Sequence, residues 1–281
     1  MTVPEYMLFV LTMTGIGMIF LRCSAGWKEV RKGKQRSRLY EYGASKTIGS
    51  REVQEDEYGI LESEEGIMAI LADGMGKHFG GKIASRTVVE VFQDIFEDRN
   101  AFFNPQYYFR KAFQGANREI LAKLDQEQGH ASAAVVILRD RKLYYAAAGN
   151  VKVAVYRNRE LVPLTAGHTI DILAKQKYME GKLSREEATA LLEHHRLYNF
   201  IGQDGFCDIE FFDTPVQLRE GDYILLMTDG MYEGSAWKAI EECLEAAGNC
   251  QKKAFAMVEL INQSKEEAKD NAAVVILKVR K

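Results

Sequence analysis

Four places in the 281-residue chain set a carboxylate at the boundary of an apolar, β-forming run. Asp73 follows "GIMAIL", Asp229 follows "YILLM", Asp270 precedes "NAAVVILKV", and the Glu55-Asp56 pair stands just before "YGIL". Strand ends on a common sheet edge converge in space, so these distant residues can form one cluster. Two carboxylates about 4 Å apart repel by roughly 4 kcal/mol at an effective dielectric of 20. They must then take up protons or share a cation, and an all-oxygen set suits Mg²⁺ or Mn²⁺. One Asp-Gly by itself reads better as a turn. Four acidic strand boundaries favour the cation, and spacing takes the argument no further.

The stretch "ADGMGKHFGGKIAS", Ala72 to Ser85, also admits a nucleotide-binding reading: Gly76, four residues, then Gly81-Lys82. A phosphate-binding loop needs Ser or Thr after its lysine to hold Mg²⁺, and Ile83 stands there. The stretch is therefore read from Asp73, as a metal loop.

The elements that position these residues follow from periodicity. Predicted strands are "EYGILES", "GIMAILAD", "SAAVVILRD", "KLYYAAAGN", "KVAVYRN", "DIEFFDTPV", "DYILLMTD" and "NAAVVILKV", rich in β-branched and aromatic residues. "RDRK" and "RNRE" read as hairpin turns. Residues 81–97 put Ala84, Val88, Val91, Phe92 and Ile95 on one helical face. A second helix is expected over 105–127, two more after "TDG", and a helical insert over 168–198 with Ser184 and Glu187 as a capping box. Strands joined by tight turns pair antiparallel, so the fold class is α+β: an antiparallel β-sandwich flanked by helix pairs.

Composition, 47% hydrophobic and 27% charged with net charge −3, describes a globular chain without the basic stripe of a nucleic-acid binder. Four scattered cysteines suit a reducing compartment. The N-terminus stands apart. "YMLFVLTMTGIGMIFL" is uncharged, and its eight Leu, Ile, Phe and Val residues favour insertion by roughly 3–4 kcal/mol. Arg22 and "KEVRKGKQRSR" follow, which by the positive-inside rule orients the rest of the chain to the cytoplasm. The expected organisation is one transmembrane helix in an anchor over 1–22, a basic juxtamembrane linker over 23–42, and a domain over 43–281. The expected location is the cell membrane, single-pass.

"REVQED", "ADGMGKHFGGKIAS", "AAAGNVKVAVYRN", "LTAGHT", "GKLSREEA", "LLMTDGMYE" and "KDNAAVVIL", in that order, resemble the PPM family of metal-dependent, type-2C-like Ser/Thr protein phosphatases, bacterial branch. The resemblance runs from about residue 43 to the C-terminus. It implies two Mn²⁺ or Mg²⁺ ions at one edge of the sandwich and hydrolysis of phosphoserine and phosphothreonine in proteins by a metal-activated water. Position by position it implies Glu55 and Asp56 as the acidic pair, Asp73 as the bridging aspartate, Gly74 as a carbonyl donor, and Asp229 and Asp270 as further metal ligands. Arg51 matches the arginine that receives the substrate phosphate, and residues 168–205 match the flap. Phosphoprotein substrates, and a cognate Ser/Thr kinase with its targets, are the implied partners.

Departures from the pattern bear on activity. The family's "GDSR" is "GNVK", so Asn150 replaces an aspartate that helps hold a third metal, and that third site is expected to be weak or absent. "ASAA" replaces a Thr-rich segment, Lys77 and Lys82 replace Gly and Glu, and Gly167 replaces an acid. An active phosphatase, a pseudophosphatase or regulatory scaffold, and a hydrolase of small phosphoesters all stay open.

Overall fold

A computed structural model describes residues 39–124, 128–192 and 196–280. The expected membrane anchor, and the linker up to residue 38, lie outside them. Among the described residues no helix is long and apolar enough to cross a membrane.

Among the described residues eleven strands form two antiparallel sheets. One runs β1 (Tyr40–Thr47), β11 (Ala272–Val279), β10 (Tyr223–Met227), β6 (Lys152–Arg157), β7 (Glu160–Pro163). The other runs β2 (Glu57–Glu62), β3 (Ile67–Gly76), β4 (Gly129–Arg139), β5 (Lys142–Ala148), β8 (Glu210–Phe211), with β9 (Val216–Gln217) also on β5. Tyr40 to Tyr42 belong to β1, paired with Val279 to Leu277, so the expected linker ends earlier than residue 42. The single run expected at "DIEFFDTPV" is instead two short strands, interrupted around Pro215, which has no N–H to donate to a ladder. Both expected hairpin turns are present, with φ of 49° and 59° at Asp140-Arg141 and 54° and 67° at Asn158-Arg159, the positive-φ pairs that match strand twist.

Alternation along each strand assigns its two faces. On β3, Met68, Ile70 and Ala72 face the helices α1 (Gly80–Phe96) and α2 (Pro105–Lys123), where they meet Phe92, Phe96, Phe109 and Phe113. Ile67, Ala69 and Leu71 face the other sheet, against Val275, Leu277 and Leu226. That double burial is why "GIMAIL" is continuously apolar. On the outer side of the first sheet, α6 (Trp237–Glu245) and α7 (Cys250–Gln263) supply Ile240, Leu244, Met257 and Ile261. The layers are therefore helix, sheet, sheet, helix. The insert carries α3 (Ile170–Met179) and α4 (Arg185–Leu191), the latter opened by the Ser184–Glu187 capping box. A four-residue helix α5 (Asp229–Tyr232) follows β10 directly.

Candidate metal centre

The same alternation delivers the site. Asp73 is in step with Ile67, Ala69 and Leu71, so its side chain turns into the gap between the sheets at their edge. Thr228 continues the inter-sheet face of β10 (Ile224, Leu226), Asn271 that of β11 (Ala273, Val275), and Asp56 is in step with Tyr58 and Ile60. Asp56 is 1% exposed and Asp73 8% exposed. Asp229 opens α5 and Asp270 precedes β11, both at the rim of the same gap.

Burial raises the pKa of all three inner aspartates, and their neighbours add to it. Asp73 is driven well up by burial, then by the charges of Asp229 and Asp56. Asp229 is raised by burial and Asp270, although Gly230 N–H and the Asp73 carboxyl both hydrogen-bond to it. Asp56 is pushed up to about 8 by burial, with Asp229 and Asp270 contributing and the Thr228 hydroxyl opposing. Thr228 Oγ1 donates to Asp56 Oδ2 at 3.0 Å, and Asn150 Nδ2 donates to Asp229 Oδ2 at 2.8 Å. Glu55 sits beside them, raised by burial and opposed by backbone N–H groups of Lys82 and Gly81 at the first turn of α1. A cluster of acids this costly in ionised form needs positive charge or protons.

Among the described residues no three acidic, histidine or cysteine side chains close into a group around one ion. The donor set nonetheless fits a hard divalent cation, because Mg²⁺ keeps several waters and needs only one or two carboxylates directly. Two buried carboxylate oxygens, Glu55 Oε1 and Asp56 Oδ1, have no hydrogen-bond partner, which is an expensive arrangement for acceptor atoms unless a ligand or water meets them. The backbone is also drawn in tightly here. A Cβ on Gly74 would collide with the Gly81 carbonyl oxygen, and one on Gly230 with the Asn271 carbonyl oxygen.

All the sequence-derived positions thus come to one edge of the sandwich. Arg51 lies at that edge but is held by Asp270, with Nη2 donating to Oδ2 at 2.8 Å. Lys82 is exposed on α1, and β3 runs antiparallel to both neighbours, so nothing of a phosphate-binding loop survives at Gly81-Lys82. Three contributors escaped the sequence reading. Asn271 Oδ1 accepts from Glu55 N–H at 2.7 Å while its Nδ2 donates to Ile48 O at 2.9 Å, stapling the Arg51 loop to β11. Thr228 and the half-buried Lys46, which donates to Asp56 O at 2.8 Å, complete the support. Only the "DN" and "TD" dipeptides signalled the first two.

The helical insert is rooted next to the site. Buried His168 accepts from Gly149 N–H at 3.1 Å through Nδ1, which also meets Asn199 Nδ2 at 2.7 Å. Glu210 accepts from Ala166 and Gly167 N–H at 2.8 and 3.1 Å. Between the insert and the carboxylates lies a cavity of about 240 Å³ lined by Asn150, Lys152, Thr169, Asp171, Asp229 and Tyr232.

A four-layer sandwich with an acidic edge and an adjoining arginine has the parts of a cation-dependent phosphoester hydrolase. Residues 44–265 match the protein phosphatase 2C family, and the chain belongs to that family. It is 25% identical over 235 residues to the serine/threonine phosphatase stp of Listeria monocytogenes, covering 81% of this chain and 90% of the relative. The fold is similar to that of the S. agalactiae serine/threonine phosphatase, with a TM-score of 0.72, 24% identity and coverage of 86% of this chain and 100% of the other. It is also similar to the catalytic domain of the serine/threonine protein phosphatase PstP in complex with two manganese ions, with a TM-score of 0.66, 21% identity and coverage of 86% and 99%.

Proposed function

We propose that this chain removes phosphate from phosphoserine and phosphothreonine in proteins at a centre that holds two Mn²⁺ or Mg²⁺ ions. The observation that carries the reading is the convergence of buried Asp56 and Asp73 with Asp229 at the rim, each raised by desolvation and by acidic neighbours. Family membership and the phosphatase activity in the names of the relatives support it, as does the manganese-bound relative of the same fold. Asp56, Asp73, Asp229 and Asp270 would hold the ions, with Glu55 at the rim and the Gly74 carbonyl as a further donor. Once bound, such ions supply a water acidic enough to act as nucleophile and neutralise charge on the phosphoryl oxygens.

The protein's own groups do the rest. Arg51, released from Asp270 once that carboxylate has a cation, would bind phosphate oxygens through charge-assisted hydrogen bonds. Asn150 keeps Asp229 oriented, and Tyr232 Oη fixes the Asn150 backbone by donating to its main-chain carbonyl oxygen at 3.0 Å. The Asn150 amide occupies one Asp229 oxygen as a hydrogen-bond donor, which supports two ions rather than three. The same feature, with the Arg51–Asp270 pair, favours a second reading, a pseudophosphatase or scaffold with weak turnover. Phosphate release by the full chain from a phosphothreonine peptide, with and without Mn²⁺, separates them: Mn²⁺-dependent release is expected. No release from a folded, Mn²⁺-binding chain sinks the enzymatic reading. Faster turnover of small phosphoesters than of any phosphopeptide would redirect the substrate class.

For the N-terminus we propose a single-pass membrane anchor over 1–22 with the catalytic domain in the cytoplasm, where a cognate kinase and its targets would supply substrates. Its support is the apolar run followed by seven basic residues from Arg22 to Arg38. Protease added outside intact cells is expected to spare the domain, and cleavage there refutes the orientation.

A further inference from the structure

Phe79 and Ile83 are large apolar side chains left in solvent, 61% and 40% exposed, beside a buried carboxylate site. Phe79 is the residue immediately before α1, and Ile83 N–H bonds to its carbonyl at 3.0 Å, so the two lie one turn apart on one face of the helix start. Their exposure is not that of a loose loop. Lys77 N–H is tied to Gln128 O at 3.0 Å and Gly80 N–H to Lys77 O at 2.9 Å, with His78 turning the chain at φ 57°. A Cβ on Gly80 would collide with the Gln128 carbonyl oxygen, so the backbone sits hard against its neighbour and Phe79 faces outward.

The position relative to the site is fixed by Gly81, which lies midway between the two and packs on Gly74 and the Glu55 carboxylate. Two residues of chain span at most about 7 Å, so the Cα atoms of Phe79 and Ile83 each lie within that distance of the Gly81 backbone, which borders the carboxylate edge. A peptide in extended conformation moves about 3.3 Å per residue; one whose phosphorylated residue occupies the edge brings its nearest flanking side chains over this ledge. Exposed Lys82, between Phe79 and Ile83, adds a positive charge that complements an anionic phosphopeptide.

We propose that Phe79 and Ile83, with Lys82, form a docking ledge for an apolar side chain within two residues of the phosphorylated residue, and thereby set substrate preference. The inference rests on the phosphatase reading, so its test reads binding as well as turnover. Fluorescein-labelled peptides carrying a non-hydrolysable phosphonate in place of the phosphate, with leucine or serine at the flanking positions, would be titrated into the full chain with Mn²⁺. The leucine peptide is expected to bind about tenfold tighter, as partial burial of one aliphatic side chain allows. Phe79→Ser and Ile83→Ser are each expected to shrink that ratio, and the double variant to remove it. Lys82→Glu is expected to weaken both peptides while keeping the ratio. Turnover of the matching phosphopeptides should follow through KM rather than kcat; discrimination in binding without turnover upholds the ledge while defeating the enzymatic reading. Equal affinity of the wild-type chain for both peptides overturns the proposal, as does a double variant that keeps the full ratio. So does self-association, in sedimentation, that Phe79→Ser abolishes.

Discussion

Asp56 shows what burial among other acids means for a single carboxyl. Its carboxyl, ordinarily near 3.8, is pushed up to about 8 in the fold. Between those values the metal-free native state keeps a proton that the unfolded chain has lost, so stability is fully present below the ordinary value and declines as pH rises through about 8. Thermal denaturation in a chelator is expected to show Tm falling from about pH 5 to about pH 8; Mn²⁺ should remove the slope, with measurable proton release on binding. A flat chelated profile would show that the acids do not share one low-dielectric site. Asn150 makes the complementary case. Its amide donates to Asp229 at 2.8 Å, so Asn150→Asp replaces a donor with a second carboxylate. The metal-free variant should lose about 1–3 kcal/mol at neutral pH, recovered in part by excess Mn²⁺.

Among the elements, the root of the helical insert responds to acid with the opposite sign. Burial holds His168 below its ordinary value, outweighing Asp208 and Glu210, which raise it. Its Nδ1 accepts from Gly149 N–H, so the ring must be neutral there. A depressed folded value means that this contribution is present above about pH 6.5 and lost as pH falls further. Amide exchange at Gly149 and across α3 should therefore accelerate below about pH 6, before the sheets open. The other joint between elements is Gly74, where β3, the start of α1 and the Glu55 backbone meet without room for a methyl group. Gly74→Ala is expected to weaken Mn²⁺ binding, read by calorimetry, while circular dichroism retains the sheet signal; unchanged metal affinity would remove Gly74 from the site.

For the whole molecule, a ligand that binds only the native state stabilises by mass action. Mn²⁺ at about one hundred times its dissociation constant should add about 2.7 kcal/mol per site. Asp73→Asn, which removes the buried carboxylate charge, should lose most of that increment together with turnover. Retention of both in the variant would overturn the assignment. The core is the independent control. Phe92 and Phe113 meet edge to face at 4.9 Å under the outer helices, so Phe113→Ala should cost about 3–5 kcal/mol without altering the Mn²⁺ increment at temperatures where the variant remains folded.

Much of this was legible along the chain. Continuous apolar runs ending in acids marked β3 and β10, the positive-φ turns at Asp140 and Asn158 were visible as "RDRK" and "RNRE", and Ser184-Glu187 announced α4. Those features are local: each depends on a few adjacent side chains and the period of its own strand or helix. What the sequence left open is non-local. Tyr40–Tyr42 form an edge strand only because β11, more than two hundred residues away, offers an unpaired ladder. Asn271 reads as an ordinary turn residue until the Arg51 loop is brought against it. Even Arg51, legible as a phosphate ligand by resemblance, is engaged with Asp270 in the fold. The chemical types and spacing of the acids were determined by sequence alone. Tertiary structure decided that Asp56 and Asp73 lie buried in one gap with Asp229 and Asp270 at its rim, because only the packing of two sheets removes the water around the inner pair.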